Sequence, residues 1–405
     1  MTSEERHEAR YQRRKARREA KKQNLADMLD FKKVFTTGHL YDAYKKCTRG
    51  VKWKASTQKY IDNATLQIYR TKKRLLDGTF RSDGFYEFDL YERGKHRHIK
   101  SVTIGERVVQ RCLCDNSLVP IVNRKFIYDN AASIKDKGYH FAIRRMVCHL
   151  QKHYRKHGTE GYILLFDFSK FFDNVYHRVV SAILRKEYVD KWLLGLILHF
   201  VRAFGEVGMG LGSQISQTLA VASASSLDHY IKEKQHIKYY ARYMDDGYLI
   251  HPDKKYLQKC LDEIQKICEA LDIKINLRKT QIVKLSHGFT WLKCRFYLLP
   301  SGKVVRKIYK RSVTKQRQKL KTFKRLYDSG EMTIEQIREG FQSWMSYALN
   351  FNACGTVKNM ITLLSELFGV ENTKKILKVK RLRHNRIRKK MRYVQYIADD
   401  MRQVA

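Results

Sequence analysis

Asp167 and the adjacent pair Asp245-Asp246 are the residues of this sequence best placed to do chemistry. Asp167 ends an apolar run, Gly161-Tyr-Ile-Leu-Leu-Phe-Asp167. The pair follows a second run, Ile237-Lys-Tyr-Tyr-Ala-Arg-Tyr243, and Gly247-Tyr-Leu-Ile250 leads away from it. A carboxylate at the end of a buried strand is costly unless something compensates its charge. Two adjacent acids in a tight turn repel each other unless a cation lies between them. A lone turn aspartate is ordinary, but these two contexts together point to a shared ion. Magnesium suits them, as a hard cation held by one or two carboxylates plus substrate phosphate oxygens. Two such ions about 4 Å apart serve in-line phosphoryl transfer, one activating a 3′-OH and one neutralising the leaving pyrophosphate.

These acids need strands to carry them, and the flanking patterns supply the setting. Phe85 to Tyr91 alternates as a strand, Gly94 marks a turn, and Arg97 to Val102 reads as the return strand. A helix with Arg107, Val108, Val109 and Cys112 follows. Residues 254–272 read as an amphipathic helix with Leu257, Leu261, Ile264, Ile267, Cys268 and Leu271 on one face. Strands are expected around Ile273–Asn276, Gln281–Leu285 and Phe289–Leu299, and basic helices from about 311 to 369. The first 25 residues read as a loose basic arm or an exposed helix.

Composition narrows the partners. The 405 residues are 43% hydrophobic, enough for a sizeable core, and allow one multi-lobed domain or two to three subdomains. Against 40 Asp and Glu stand 82 Lys and Arg, a formal net charge of +42. Such an excess implies a polyanion, because each phosphate contact releases condensed counterions. No apolar run is long enough to span a bilayer, so nucleic acid is favoured over a membrane surface, and the charged N-terminus does not read as a secretory signal. The eight cysteines include no C-x-x-C pair and read as reduced, mostly buried thiols of a cytoplasmic protein.

Beyond these physical readings the sequence resembles a family. Tyr243-Met244-Asp245-Asp246 resembles the metal-binding box of reverse transcriptases, and Leu164 to Phe172 resembles their first acidic motif. Asp173-Asn174-Val175-Tyr176-His177 is similar to the form found in bacterial retroelement enzymes. Arg97-His-Ile with Glu106 to Gln110, and then Lys135, Lys137 and Gly138, resemble the fingers motifs. Asn276 with Lys279-Thr280 resembles the motif whose lysine lies near the leaving pyrophosphate, and Phe289 to Lys293 the primer-grip hairpin. Between the acids lies Leu211-Gly212-Ser213-Gln214-Ile215-Ser216-Gln217. Its GxxxSQ form departs from the QGxxxSP of group II intron and retroviral-type enzymes. It is closest to diversity-generating retroelements and to abortive-infection and other defence-associated enzymes. Losing the proline frees a backbone N–H and loosens φ at that turn, and looser fidelity is the expectation.

The resemblance implies an α+β right-hand polymerase. Its expected divisions are a basic N-terminal arm at 1–54, fingers at 55–160, palm at 161–300, thumb at 301–370 and a basic tail at 371–405. It implies Asp167, Asp245 and Asp246 as catalytic residues and, with Phe168, as metal ligands for two Mg2+ ions, Mn2+ being a substitute. For the nucleotide it implies Arg93, Arg97, Phe168, Phe172, Gln217 and Lys279, with Phe172 as a gate against the 2′-OH. For template and primer it implies Gly212, Ser216, Tyr243, Met244, Trp291 and Lys293. The expected partners are an RNA template, structured and non-coding, a DNA or RNA primer, dNTPs and an accessory protein. The residues after the thumb are too few for RNase H, so polymerisation without cleavage is expected. Two other readings stay open: template-independent DNA synthesis, and an RNA-binding maturase-like protein without catalysis.

Overall fold

The computed structural model describes residues 2–92 and 95–378. Arg93 and residues 379–405 therefore lie outside it, and with them one expected nucleotide contact and most of the expected basic tail.

The described residues form two compact units. The first comprises residues 1–146 and 163–282, the second residues 147–162 and 283 onward. These bounds differ from the expected fingers, palm and thumb divisions. Most of the segment expected as fingers and most of the segment expected as palm fall within the first unit, while residues 147–160 of the former belong to the second.

The first unit opens with a helix at Ser3–Met28. Thr2 caps it, its hydroxyl accepting from Glu5 N–H while the Glu5 side chain accepts from Thr2 N–H. No residue of this helix is buried. Arg10, Arg14, Arg17 and Lys21 follow the i, i+4, i+7, i+11 spacing that places side chains on one helical face, and Glu8 and Glu19 fall opposite. The arm is thus a helix with one basic face, while the opposite face mixes Glu8 and Glu19 with Lys15 and Lys22. After short helices come β1 (Tyr86–Glu92) and β2 (Lys95–Ser101), an antiparallel hairpin with Leu90 opposite Arg97.

At the centre of this unit lie β3 (Tyr162–Asp167), β4 (Tyr239–Tyr243) and β5 (Asp246–His251). With β6 (Gln281–Lys284) they form a sheet in the order β4-β5-β3-β6. Strands β3 to β5 are buried along their centres, with only the end residues Tyr162, Tyr239, Tyr243, Asp246 and His251 part-exposed, which is why they read as apolar runs. The helix Lys254–Ala270 buries Leu257, Leu261, Ile264 and Cys268, as its periodicity predicts. The helix Gln214–Ser223 is buried along nearly its whole length. Its uninterrupted small and apolar run, Thr218 to Ser223, lets it sit deep in the unit.

Residues Ile273–Asn276 do not form the expected strand. Asp272 has φ +57°, which turns the chain, and pairing there reduces to one isolated bridge between Phe168 and Ile275. The strand region expected around Phe289–Leu299, whose first residues resemble the primer-grip hairpin, is a hairpin of β7 (Phe289–Trp291) and β8 (Cys294–Leu298), to which β9 (Val304–Ile308) adds. Its two turn residues, Leu292 and Lys293, have φ +48° and +59°. That is the sign pattern of a type I′ turn without the Asn-Gly that would announce it.

The rest of the second unit is helical, at Lys310–Asp328, Ile334–Ala348 and Cys354–Leu377. Leu320, Phe323, Ile337, Phe341, Met345, Val357, Met360, Ile361 and Leu364 form its core. Ile376 is fully buried there, and its carbonyl accepts from the Gln342 side chain.

Candidate active site

β4 and β5 pair in register from Tyr239–Ile250 to Tyr243–Asp246, leaving Met244 and Asp245 as a two-residue turn. Met244 has φ +56°, a conformation that costs a side-chain-bearing residue more than glycine. β3 ends beside this hairpin, and the Phe168 amide donates to the Asp245 carbonyl at 3.2 Å. Carboxylate oxygens of Asp167, Asp245 and Asp246 consequently all lie within 4.8 Å of one another.

Gly247 explains how β5 comes so near β3. A Cβ at this position would lie 2.2 Å from Cζ of Phe166, the buried residue next to Asp167. Gly247→Ala must displace that ring or the strand. Overpacking costs about 1–3 kcal/mol, and a shift of reacting groups by about 1 Å lowers synthesis by about 10²-fold. Melting and incorporation assays on G247A and on G247A/F166L check this: the second variant makes room for the Cβ and should recover much of the activity.

The charge balance of the site is acidic. Asp167 is buried, while Asp245 and Asp246 are half-buried. Lys279 reaches Asp167 with Nζ 2.7 Å from Oδ2, and Asn276 donates to the same oxygen at 3.3 Å. The Asn276 amide also bonds the Asp167 carbonyl. The Asp246 carboxyl is pushed up to about 7 by burial and by the neighbouring charges of Asp245 and Asp167. The lysine is shifted upward, chiefly by its bond to Asp167. Burial and like charge together disfavour the ionised form of Asp246, and a bound cation would relieve both. The site's donors are all hard carboxylate oxygens, so the residues present fit a divalent cation such as Mg2+.

Residues 87–298 match the family described as reverse transcriptase (RNA-dependent DNA polymerase), which is over half of the chain. The chain belongs to the reverse transcriptase family. Among curated proteins it resembles protein YkfC of Escherichia coli strain K12, 23% identical over 242 aligned residues, covering 49% of this chain and 62% of YkfC. It thus spans less than two thirds of that relative. Among solved structures it is similar to telomerase from Candida albicans in complex with a TWJ fragment of telomeric RNA, at 12% identity and a TM-score of 0.43, covering 78% of this chain and 65% of that one. It is also similar to apo telomerase from Candida tropicalis, at 13% identity and a TM-score of 0.45, covering 73% and 61%.

Within this reverse transcriptase chain, the three aspartates and Lys279 come together. Other expected contacts fall elsewhere. The Phe168 side chain is a core residue, its ring 5.6 Å from Phe166 and 5.2 Å from Phe171, so only its backbone faces the site. Ser216 is fully buried with its hydroxyl unpartnered, turned into the first unit by the helix it sits on, so it presents nothing to a template in this conformation. Gln217, one residue on, is exposed, and Gly212 lies in an open loop with φ +102°. Phe172 is half-buried, and Tyr243 and Met244 are partly exposed at the turn. Arg97 stands exposed on β2. Trp291 is buried within the second unit and Lys293 is exposed at its hairpin turn.

Proposed function

We propose that this protein is an RNA-directed DNA polymerase of a prokaryotic retroelement or anti-phage defence system, extending a primer by two-metal nucleotidyl transfer. The observation that carries this reading is the convergence of Asp167, Asp245 and Asp246 within 4.8 Å, with Lys279 bonded to Asp167. When bound, two Mg2+ ions at these carboxylates supply activation of the primer 3′-OH and neutralisation of the leaving pyrophosphate. The chain's own residues orient the reactants. Asp167 is fixed by Asn276, and the Lys279 side chain is 63% exposed, free to exchange its carboxylate for a substrate phosphate. Phe172 stands as the gate against a 2′-OH. The GxxxSQ form at Gly212 to Gln217 favours the diversification or defence groups.

Incubating the purified protein with a primed RNA of defined sequence, dNTPs and Mg2+, and sequencing the product, tests the proposal. Complementary DNA is the expected result. Unrelated DNA would indicate template-independent synthesis, and no DNA a binding role; either overturns the reading.

The RNA partner has a candidate surface on the Ser3–Met28 helix. Its basic face carries Arg10, Arg14, Arg17 and Lys21, all exposed, with Arg13 and Arg18 at its sides. Each phosphate contact contributes about −0.7 to −0.9 to the slope of log K against log salt. Reversing these four charges to Glu should therefore flatten that slope by about 3 units in RNA-binding titrations. Synthesis on a saturating short primer-template should be unchanged, and an unaltered slope would show that this face does not meet nucleic acid.

A further inference from the structure

A buried ion pair lies directly behind the acidic turn. Arg242 on β4 and Asp228 of the helix Ser225–His229 are both wholly inaccessible to solvent. The guanidinium grips the carboxylate in two places, Nε to Oδ1 at 2.7 Å and Nη2 to Oδ2 at 2.6 Å. Tyr240, two residues earlier on β4 and also buried, donates its hydroxyl to Oδ1 at 2.5 Å. Burying two charges is expensive, and such pairs contribute little net stability over apolar replacements. Its presence therefore calls for a different reason.

That reason lies in the guanidinium's remaining donors. Nη2 also donates to the Val221 carbonyl at 3.1 Å, on the buried helix Gln214–Ser223. Nη1 donates to the Met244 carbonyl at 2.7 Å. Met244 is the residue with φ +56°, and its carbonyl belongs to the peptide that leads into Asp245. Arg242 is itself fixed on its main chain: its amide donates to the Asp129 carbonyl and its carbonyl accepts from Ala131 N–H. One planar group thus ties the acidic turn to two helices, at the peptide whose orientation sets the direction of the Asp245 side chain.

We propose that Arg242 is a positioning residue for the acidic turn: anchored on Asp228, it holds the Met244 carbonyl and so aims Asp245 and Asp246 at the point they share with Asp167. Arginine suits this geometry because its planar fork spreads donors over three nitrogens, whereas lysine has one and cannot reproduce the two-point grip on Asp228 together with the bonds to Met244 and Val221. Partners standing behind metal ligands typically account for 10–100-fold in metal affinity or activity.

The inference rests on the polymerase reading, and the test separates the two. Two variants are compared with wild-type protein. One is R242K. The other is R242M/D228N, which removes both charges together and leaves an amide oxygen at position 228 to accept from Tyr240. Mg2+ is titrated in two assays: thermal stabilisation of the protein alone, and primer extension with kcat and dNTP KM resolved. Cooperative melting is expected in both variants, with the Mg2+ midpoint raised 10–100-fold in the two assays. A lowered kcat, a dNTP KM within about threefold of wild type and unchanged RNA binding are expected with it. Midpoints and kcat within twofold of wild type in a folded variant overturn the proposal. So does recovery of the wild-type midpoint in R242M/D228N, which would make the pair structural only. If wild-type protein extends no primer, the polymerase reading fails, while the Mg2+-dependent melting still decides the role of Arg242.

Discussion

Replacing Asp245 and Asp246 together with Asn abolishes dNTP incorporation, by at least about 10³-fold, while RNA binding persists. A loss of this size corresponds to about 4 kcal/mol or more of transition-state stabilisation. It follows from removing two of the three carboxylates that converge within 4.8 Å. The same substitution should raise the melting temperature measured without divalent cations. Asp246 is held above the usual carboxylate range, to about 7, by burial and by its acidic neighbours. The folded state therefore binds more protons at this residue than the unfolded chain does, and this contribution to stability is lost as pH rises through that value. The gain on substitution should accordingly be largest above pH 7. Mg2+ should reverse the order: at a hundredfold excess over its dissociation constant it stabilises the wild type by about 2.7 kcal/mol and the variant not at all. Melting curves with and without Mg2+ at pH 8, beside an extension assay, check all three expectations. Comparable synthesis by the double variant would sink the assignment of the acids.

Much of this site was legible because it is local in sequence. Apolar runs that stop at an acid announced β3 and the β4–β5 hairpin, and alternation announced β1 and β2. What stayed illegible depends on partners distant in the chain. Arg242 reads as one polar residue in an apolar strand, and nothing nearby reveals that Asp228, fourteen positions earlier, meets it. Ser216 and Gln217 are neighbours with opposite fates, one buried and one exposed, because a helix rather than a loop carries them. The Leu292-Lys293 turn defies turn chemistry, since neither residue favours positive φ. The two compact units divide at residues 146, 163 and 282, within or beside regular elements where composition does not change, so no linker signal marks them.

Phe171 and Phe172 lie four and five residues after the first acid and differ in their surroundings. Phe171 is buried against Phe168, with ring centroids 5.2 Å apart, and belongs to the core. Phe172 is half-buried and stands edge-on to Phe171 at 6.1 Å. Its backbone is pinned by the Met209 amide, which donates to the Phe172 carbonyl at 2.8 Å, and by the short turn in which Asp173 and Asn174 N–H both bond the Lys170 carbonyl. A fixed backbone and the edge contact with Phe171 favour one placement of the ring, as a gate against the 2′-OH requires. Phe172→Val should therefore raise rNTP use relative to dNTP by about 10–100-fold, the discrimination available to a pocket that excludes one small group. Because the pinning bonds are made by main chain, this variant should keep its fold. Phe171→Ala should do the reverse, lowering stability by about 3–5 kcal/mol while leaving the sugar preference alone. Single-nucleotide extension with matched rNTP and dNTP, run beside melting curves, separates the two rings. An unchanged ratio in F172V together with an altered one in F171A would assign the gate to the other ring.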